Sequence, residues 1–522
     1  MRNRLLRLLG VLLALALLPA VVVGGPAPSR TPPNVLVIGT SIQDIVSLDP
    51  AQAFEFRSTW VVEHLYDTLV EFNREFNRAL PNVAASWTAS PDLKTYTFQL
   101  RSGVRFHSGN AVNAQAVEFS LRRVMRLKMS PAFIITDFVK AETDIAAVGS
   151  DQVRITFNQG MPEVLMASVL DNPVSSVVDP ALVRRNAAAG DPEANKWLTE
   201  NDAGSGPYIL RRWTRNAIVE LVAYDGYWRG RPSMGRIFIQ DLIEPAAQLL
   251  ALQRGDIDVA MSLLPGQYRQ LATTPGFVVK RVPTFSIRYL AMNVGYEPFA
   301  SRQVRNAVKY AVDYDAIKRI YEDAIDVGQT IVPARMFAHL PDRPYTRNVE
   351  RARALMREAG REAGFRATLV VSTEVPLPDI AAKIKEDLAA INITVDVQVL
   401  RSADVLGIYR GRTHHMTIAR WGADYPDPDN LAKAFADFDS RVLAWRNQWD
   451  HPVKRVVQQA VQESDRAKRE ALYKEIQKVV LEEGPYVIFA YPLRQIAMRT
   501  NVKGVDPSPL AETFDLTNAS KE

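Results

Sequence analysis

Alternation of apolar and polar residues is sharpest at 95–100. There Tyr96, Phe98 and Leu100 interleave with Thr95, Thr97 and Gln99, the two-residue period of a half-buried strand. The continuous apolar run at 34–39 predicts a buried first strand, and 153–157 and 219–224 predict others. After Pro298 the period lengthens. Val304, Ala307, Val308, Ala311 and Val312 share one helical face, with Ser301 placed as N-cap. Residues 367–372, 379–391 and 393–399 then read as strand, helix and strand, a compact βαβ unit. Two late helices carry apolar faces through Val453, Val456, Val457, Ala460 and Val461 and through Leu472, Ile476, Val479 and Val480, with Ser464 and Asp465 at the break. No internal repeat interrupts the alternation, so the chain reads as two α/β lobes.

The N-terminus follows a different rule. Arg2, Arg4 and Arg7 precede a nearly unbroken apolar stretch at 8–18, then Pro19 and the small residues Ala20, Gly24, Gly25 and Ala27. This is the layout of a signal peptide, expected within residues 1–30 with no clean cleavage site. Residues 5–23 could also anchor in a bilayer, but Pro19 interrupts them. A length of 522 residues implies more than one domain. The net charge of +5 is modest, includes the three leader arginines and gathers into no basic stripe, so nucleic acid is not an expected partner. The chain has no cysteine, which excludes disulfides, thiol nucleophiles, Cys-bound zinc and a lipid-attachment Cys. A free protein in the periplasm fits these facts.

The richest stretch is Ala419-Arg420-Trp421-Gly422-Ala423-Asp424-Tyr425-Pro426-Asp427-Pro428-Asp429-Asn430. Trp421 offers a rigid apolar face and Asp424 a fixed negative charge three residues on, which suits a small ligand with an amino group and apolar bulk. The run resembles the W-x-x-D-Y-x-D-P-x-N segment of the extracytoplasmic solute-binding proteins of family 5, the dipeptide and oligopeptide receptors of ABC importers. Further blocks occur in that family's order: Ser47-Leu48-Asp49-Pro50-Ala51, Leu65-Tyr66-Asp67-Thr68-Leu69-Val70, Phe106-His107-Ser108-Gly109, Gly204-Ser205-Gly206-Pro207-Tyr208 and Tyr289-Leu290-Ala291-Met292-Asn293. The resemblance implies an α/β, two-lobed periplasmic-binding-protein fold of the large class, with the ligand cleft between lobes. Lobe I is expected at 31–284, with an extra subdomain near 73–178 and a return at 486–522. Lobe II is expected at 285–485, with hinge segments near 284–291 and 484–488.

It also implies that Asp424 holds the ligand's α-amino group and that Trp421 lines a side-chain pocket. Without the family, Asp424 reads as a turn residue and Trp421 as lobe packing. Arg420 is a candidate for a ligand carboxylate, although the best-known peptide receptors place that cation elsewhere, and Tyr425 is a weaker candidate on the same turn. Phe54 and Phe56 share one direction if extended and are read either as ligand contacts or as core. Asn293 faces the cleft or satisfies backbone. Asp427 and Asp429 read as turn and helix N-cap. His414 and His415, adjacent in a strand, point to opposite faces and make a poor metal site. The expected protein is therefore no enzyme: it has no catalytic residues, no metal and no cofactor. It is a monomeric receptor handing peptides, or another small solute, to the transmembrane subunits of an ABC permease. The alternative cargoes on this fold are oligosaccharide, opine, nickel chelate and haem.

Overall fold

The computed structural model describes residues 30–73, 75–510 and 514–522. The expected leader, apart from Arg30, lies outside the described residues. Val35–Thr40 (β1) is apolar because both of its faces are covered: Leu36 and Ile38 join one core with Trp60 of Phe56–Leu65 (α1), while Val37 joins another with Leu252.

An inserted unit follows. Ala84–Ala89 (β2), Thr95–Leu100 (β3), Ile145–Val148 (β4) and Gln152–Thr156 (β5) form an antiparallel sheet ordered β2-β3-β5-β4. In β3 the residues Tyr96, Phe98 and Leu100 are buried and the intervening polar ones half-buried, as the alternation requires. Ala114–Leu127 (α2) covers this sheet, with the Asn113 side chain accepting from the Ala116 amide at 2.9 Å. The unit has its own core, residues from Leu69 to Val177 joined by Ala51 and Tyr425.

The chain then returns to the main sheet through Tyr208–Thr214 (β6), Ile218–Ala223 (β7), Arg236–Asp241 (β8) and Val259–Ala260 (β9). β8 and β9 both lie parallel to β1. Phe277–Pro283 (β10) and Ser286–Met292 (β11) follow, separated only by Thr284 and Phe285. Arg302–Ala311 (α3) is capped by Ser301, as expected. Phe365–Ser372 (β12), Leu377–Ala389 (α4) and Ile393–Leu400 (β13) form the βαβ unit, with its two strands parallel. Met416–Gly422 (β14), Pro428–Ala436 (α5), Arg466–Glu483 (α6) and the 14-residue strand Tyr486–Arg499 (β15) complete the labelled elements.

The main sheet has twelve strands, with the order β13-β12-β14-β11-β15-β9-β1-β8-β7-β6 along its path. β15 joins the two halves. Its residues 486–490 pair with β11, whereas 493–499 pair with β10 and 497–498 also with β9. Its change of partner lies level with Thr284 and Phe285, so the backbone crosses between halves at both places. Residues 486–490 thus side with β11.

Several of the sequence blocks are structural. Asp49 takes a bidentate pair from Arg123 of α2, at 2.7 and 2.5 Å, which ties the inserted unit to the first lobe. His107 bonds the Asp202 carboxylate at 2.7 Å and the Gly206 carbonyl at 3.0 Å. Gly204 is required by close approach, because a Cβ there would lie 1.8 Å from the Leu65 carbonyl oxygen.

Candidate functional site

Strand directions locate the cleft. β9 runs antiparallel to β15, so its carboxyl end, and those of the parallel β1 and β8, point toward the crossing. β14 runs antiparallel to β11, with Gly422 opposite Ser286, so its carboxyl end also points to the crossing. β12 and β13 are parallel to β14 and end on the same side. The carboxyl edges of the two half-sheets therefore face each other across the crossing, the place where open α/β sheets hold ligands.

The residues just past these strand ends form the two walls. On the first wall Val46, Ile243 and Leu264 are exposed, and on the second Val375 and Leu406 are. Large apolar side chains left in water on opposed rims mark surfaces made to be covered. Sequence periodicity missed them, because their only signal is position after a strand whose direction is not yet known.

At the end of β14 the motif folds on itself. Asn430, in the first turn of α5, accepts from the Trp421 indole Nε1 at 3.2 Å and from the Asp424 amide at 3.4 Å. Its own Nδ2 donates to Asp424 Oδ2 at 3.2 Å. One amide thus fixes both the ring and the carboxylate, a role not read from the sequence. Asp427 caps α5 and takes a buried bidentate pair from Arg469 at 2.9 and 2.7 Å, so it is structural, as expected. Asp429 accepts from the Tyr425 hydroxyl at 2.8 Å.

Asp424 remains the exception. Burial raises its carboxyl above the ordinary carboxylate range, and only the Asn430 bond pulls the other way. Among the described residues no Lys, Arg or His pairs with it. A half-buried acid without a counter-ion is a site prepared for a cation.

The other candidates are spread out. Arg420 is exposed, two residues before the end of β14. Tyr425 is 4 % exposed and packs into the core of the inserted unit, across the cleft from its own strand. Phe54 and Phe56 are both exposed rather than core, and Phe56 opens α1, so they are not an extended pair; Phe54 meets Phe133 edge-on, 6.0 Å between ring centres. Asn293 lies beyond the far end of β11, buried, its Nδ2 donating to the carbonyls of Arg412 and His414 and its Oδ1 accepting from Gly295 and Gln448. The structure therefore brings Trp421, Asp424 and Arg420 to the cleft edge and leaves Asn293 away from it. His414 is buried against Asn447, His415 stacks on Tyr296, and no metal-binding cluster occurs among the described residues.

The halves already touch. Asn172 Nδ2 donates to the Asp424 carbonyl at 3.2 Å, Lys433 pairs with Asp137 at 3.0 Å, and Phe76 meets Phe285 edge-on. Behind the turn is a cavity of about 960 Å³, lined by Asp171, Asn172, Arg229, Lys280 and Pro426, among others. It contains none of Trp421, Asp424, Phe54, Phe56 or Asn293. The acid without a counter-ion marks the site better than this volume does.

Two half-sheets meeting edge to edge over a double crossing, with an inserted unit on the first, define the two-lobed periplasmic-binding-protein fold. No described helix is long and apolar enough to cross a membrane. The model of the bacterial extracellular solute-binding proteins, family 5 (middle), matches residues 78–440, and the chain belongs to that family. It is a solute receptor of a transport system and not an enzyme. Among curated relatives it is similar to the probable D,D-dipeptide-binding periplasmic protein DdpA of Escherichia coli, 26% identical over 95% of this chain and 96% of that one. Among solved structures it is similar to HbpA2 of Haemophilus parasuis, with a TM-score of 0.84, 22% identity and coverage of 94% and 100%. It also resembles the binding protein DppA of Helicobacter pylori in complex with the peptide STSA, with a TM-score of 0.76, 24% identity and coverage of 94% and 98%.

Proposed function

We propose that the protein captures short peptides between its lobes, grips their free amino terminus with Asp424 and delivers them to the transmembrane subunits of an ABC permease. The observation that carries this reading is the half-buried Asp424 carboxylate at the cleft edge, fixed by Asn430 and left without a cation. A peptide ammonium supplies that charge, and such a charge-assisted bond contributes about 1.5–3 kcal/mol. The apolar rims at Val46, Leu264 and Val375 suit side chains of varied shape, and Trp421, half-buried against the core of the second lobe, turns the rest of its surface to the ligand. The similarity to a D,D-dipeptide-binding protein and to a peptide-bound structure supports the same class of cargo. The receptor acts as a monomer in the periplasm, reached through its leader. Closure of the lobes over the peptide creates the surface that the permease meets.

Calorimetry with one dipeptide and its N-acetyl derivative tests this. The free peptide is expected to bind at least tenfold tighter than the acetylated one, and Asp424→Asn is expected to abolish the difference. Equal affinities in the wild type, or an unchanged preference in Asp424→Asn, overturn the amino-anchor reading. Native mass spectrometry of the gently purified protein identifies its cargo directly; a metal chelate or haem in the cleft refutes the peptide.

A further inference from the structure

Asp424 is held from two lobes at once. Its carboxylate and amide are fixed by Asn430, a residue of its own lobe. Its main-chain carbonyl accepts from Asn172, a residue of the inserted unit, and no described backbone amide donates to it. Asn172 is itself firmly seated. It follows the helix Glu163–Leu170, whose Leu165, Met166, Val169 and Leu170 lie in the core of the inserted unit, and Pro173 stiffens the backbone just after it. Its Oδ1 accepts from the Val174 amide at 3.1 Å. That bond commits the oxygen to the local turn and leaves Nδ2 to face Asp424. The flipped amide would set N–H against N–H and oxygen against oxygen. The next residue in the second lobe, Tyr425, is sunk in the same core of the inserted unit. The inserted unit therefore fixes the plane of the 424–425 peptide, and that plane sets the direction in which the Asp424 side chain leaves the turn.

We propose that Asn172 is a positioning residue for Asp424: reaching from the opposite lobe, it holds the main chain of the amino anchor in its binding orientation only while the lobes are closed. When the lobes part, the carbonyl loses its donor and turns to water, and the 424–425 peptide regains its rotation. A solute ammonium then meets an aimed carboxylate in one form and a loose one in the other. That difference in affinity is what a ligand needs in order to favour closure. The inference rests on the amino-anchor reading and deepens it: the anchor belongs to both lobes, and Asn172 acts through Asp424 rather than on the solute.

Two variants separate this from a merely structural role. Asn172→Ser keeps an oxygen for the Val174 amide but is one bond too short to reach the Asp424 carbonyl, whereas Asn172→Ala loses both bonds. By calorimetry, the wild-type preference for a dipeptide over its N-acetyl derivative is expected to fall about fivefold in both variants, the loss of one hydrogen bond. Asn172→Ala is expected to lower the melting temperature as well, through the lost cap. An Asn172→Ser protein that keeps the wild-type ratio, even with both peptides weakened equally, overturns the positioning role. A second arm needs no peptide. In the ligand-free protein the side-chain amide resonances of Asn430, which report on the Asp424 carboxylate, are expected to shift in Asn172→Ser. Unshifted Asn430 resonances overturn the role, whatever the peptides show. A shift in a protein whose wild type has no preference for the free amine keeps Asn172 as the holder of Asp424 and refutes only the amino anchor.

Discussion

At the scale of single residues, the site turns on where acids find partners. Asp427 and Asp424 are three apart, yet only Asp427 has an arginine. Breaking that pair from the basic side strands a buried charge, so Arg469→Met is expected to lower stability by about 3–5 kcal/mol in denaturant unfolding. Asp424 behaves oppositely. Its pKa is raised by burial, so the free protein holds a proton there at a pH where an exposed aspartate has lost it. An ammonium binds the ionised form. Peptide affinity is therefore expected to be full above the raised pKa and to fall as the pH drops through it, earlier than an ordinary carboxylate would dictate. Proton release measured by calorimetry in buffers of different ionisation enthalpy checks this, and Asp424→Asn is expected to remove the effect.

At the scale of elements, the β14–α5 turn both presents Asp424 and drives Tyr425 into the core of the inserted unit. Closing and anchoring are thus coupled through adjacent residues. Tyr425→Ala removes packing comparable to a large-to-small core change, about 3 kcal/mol. It is expected to enlarge the radius of gyration of the ligand-free protein in small-angle scattering and to weaken peptide binding. Much of this level was legible. The alternation at 95–100, the Ser301 cap and the parallel βαβ unit all follow from local periods. Trp421 and Asp424 stood out because an indole and an acid beside a proline-ruled turn are poor core material. What local pattern does not contain is strand direction. Asn293 ends an apolar strand, but nothing in its neighbours says that this end points away from the crossing. Phe54 and Phe56 carry a period of two, yet α1 begins at Phe56 and cancels it. Arg288 of β11 and Glu374, two residues past β12, bond only because those two strands flank β14, an order set by residues far apart in sequence.

At the scale of the whole molecule, two lobes joined by two strands balance between open and closed forms, and ligand shifts the balance by its preference for one. The contacts at Asn172, Lys433 and Phe76 hold the lobes together beside the inserted unit. Cargo then completes the opposed rims. At a hundred times the dissociation constant, bound peptide is expected to add about 2.7 kcal/mol of stability, read as a concentration-dependent rise in melting temperature. β15 carries one more consequence. It is the last long strand to be synthesised, and each half-sheet needs a different stretch of it. A ribosome or secretion channel releasing this polypeptide from its front end delivers both halves unfinished until the final segment emerges. A product cut short before residue 486 leaves neither half complete, so premature termination yields debris for proteolysis rather than half a receptor.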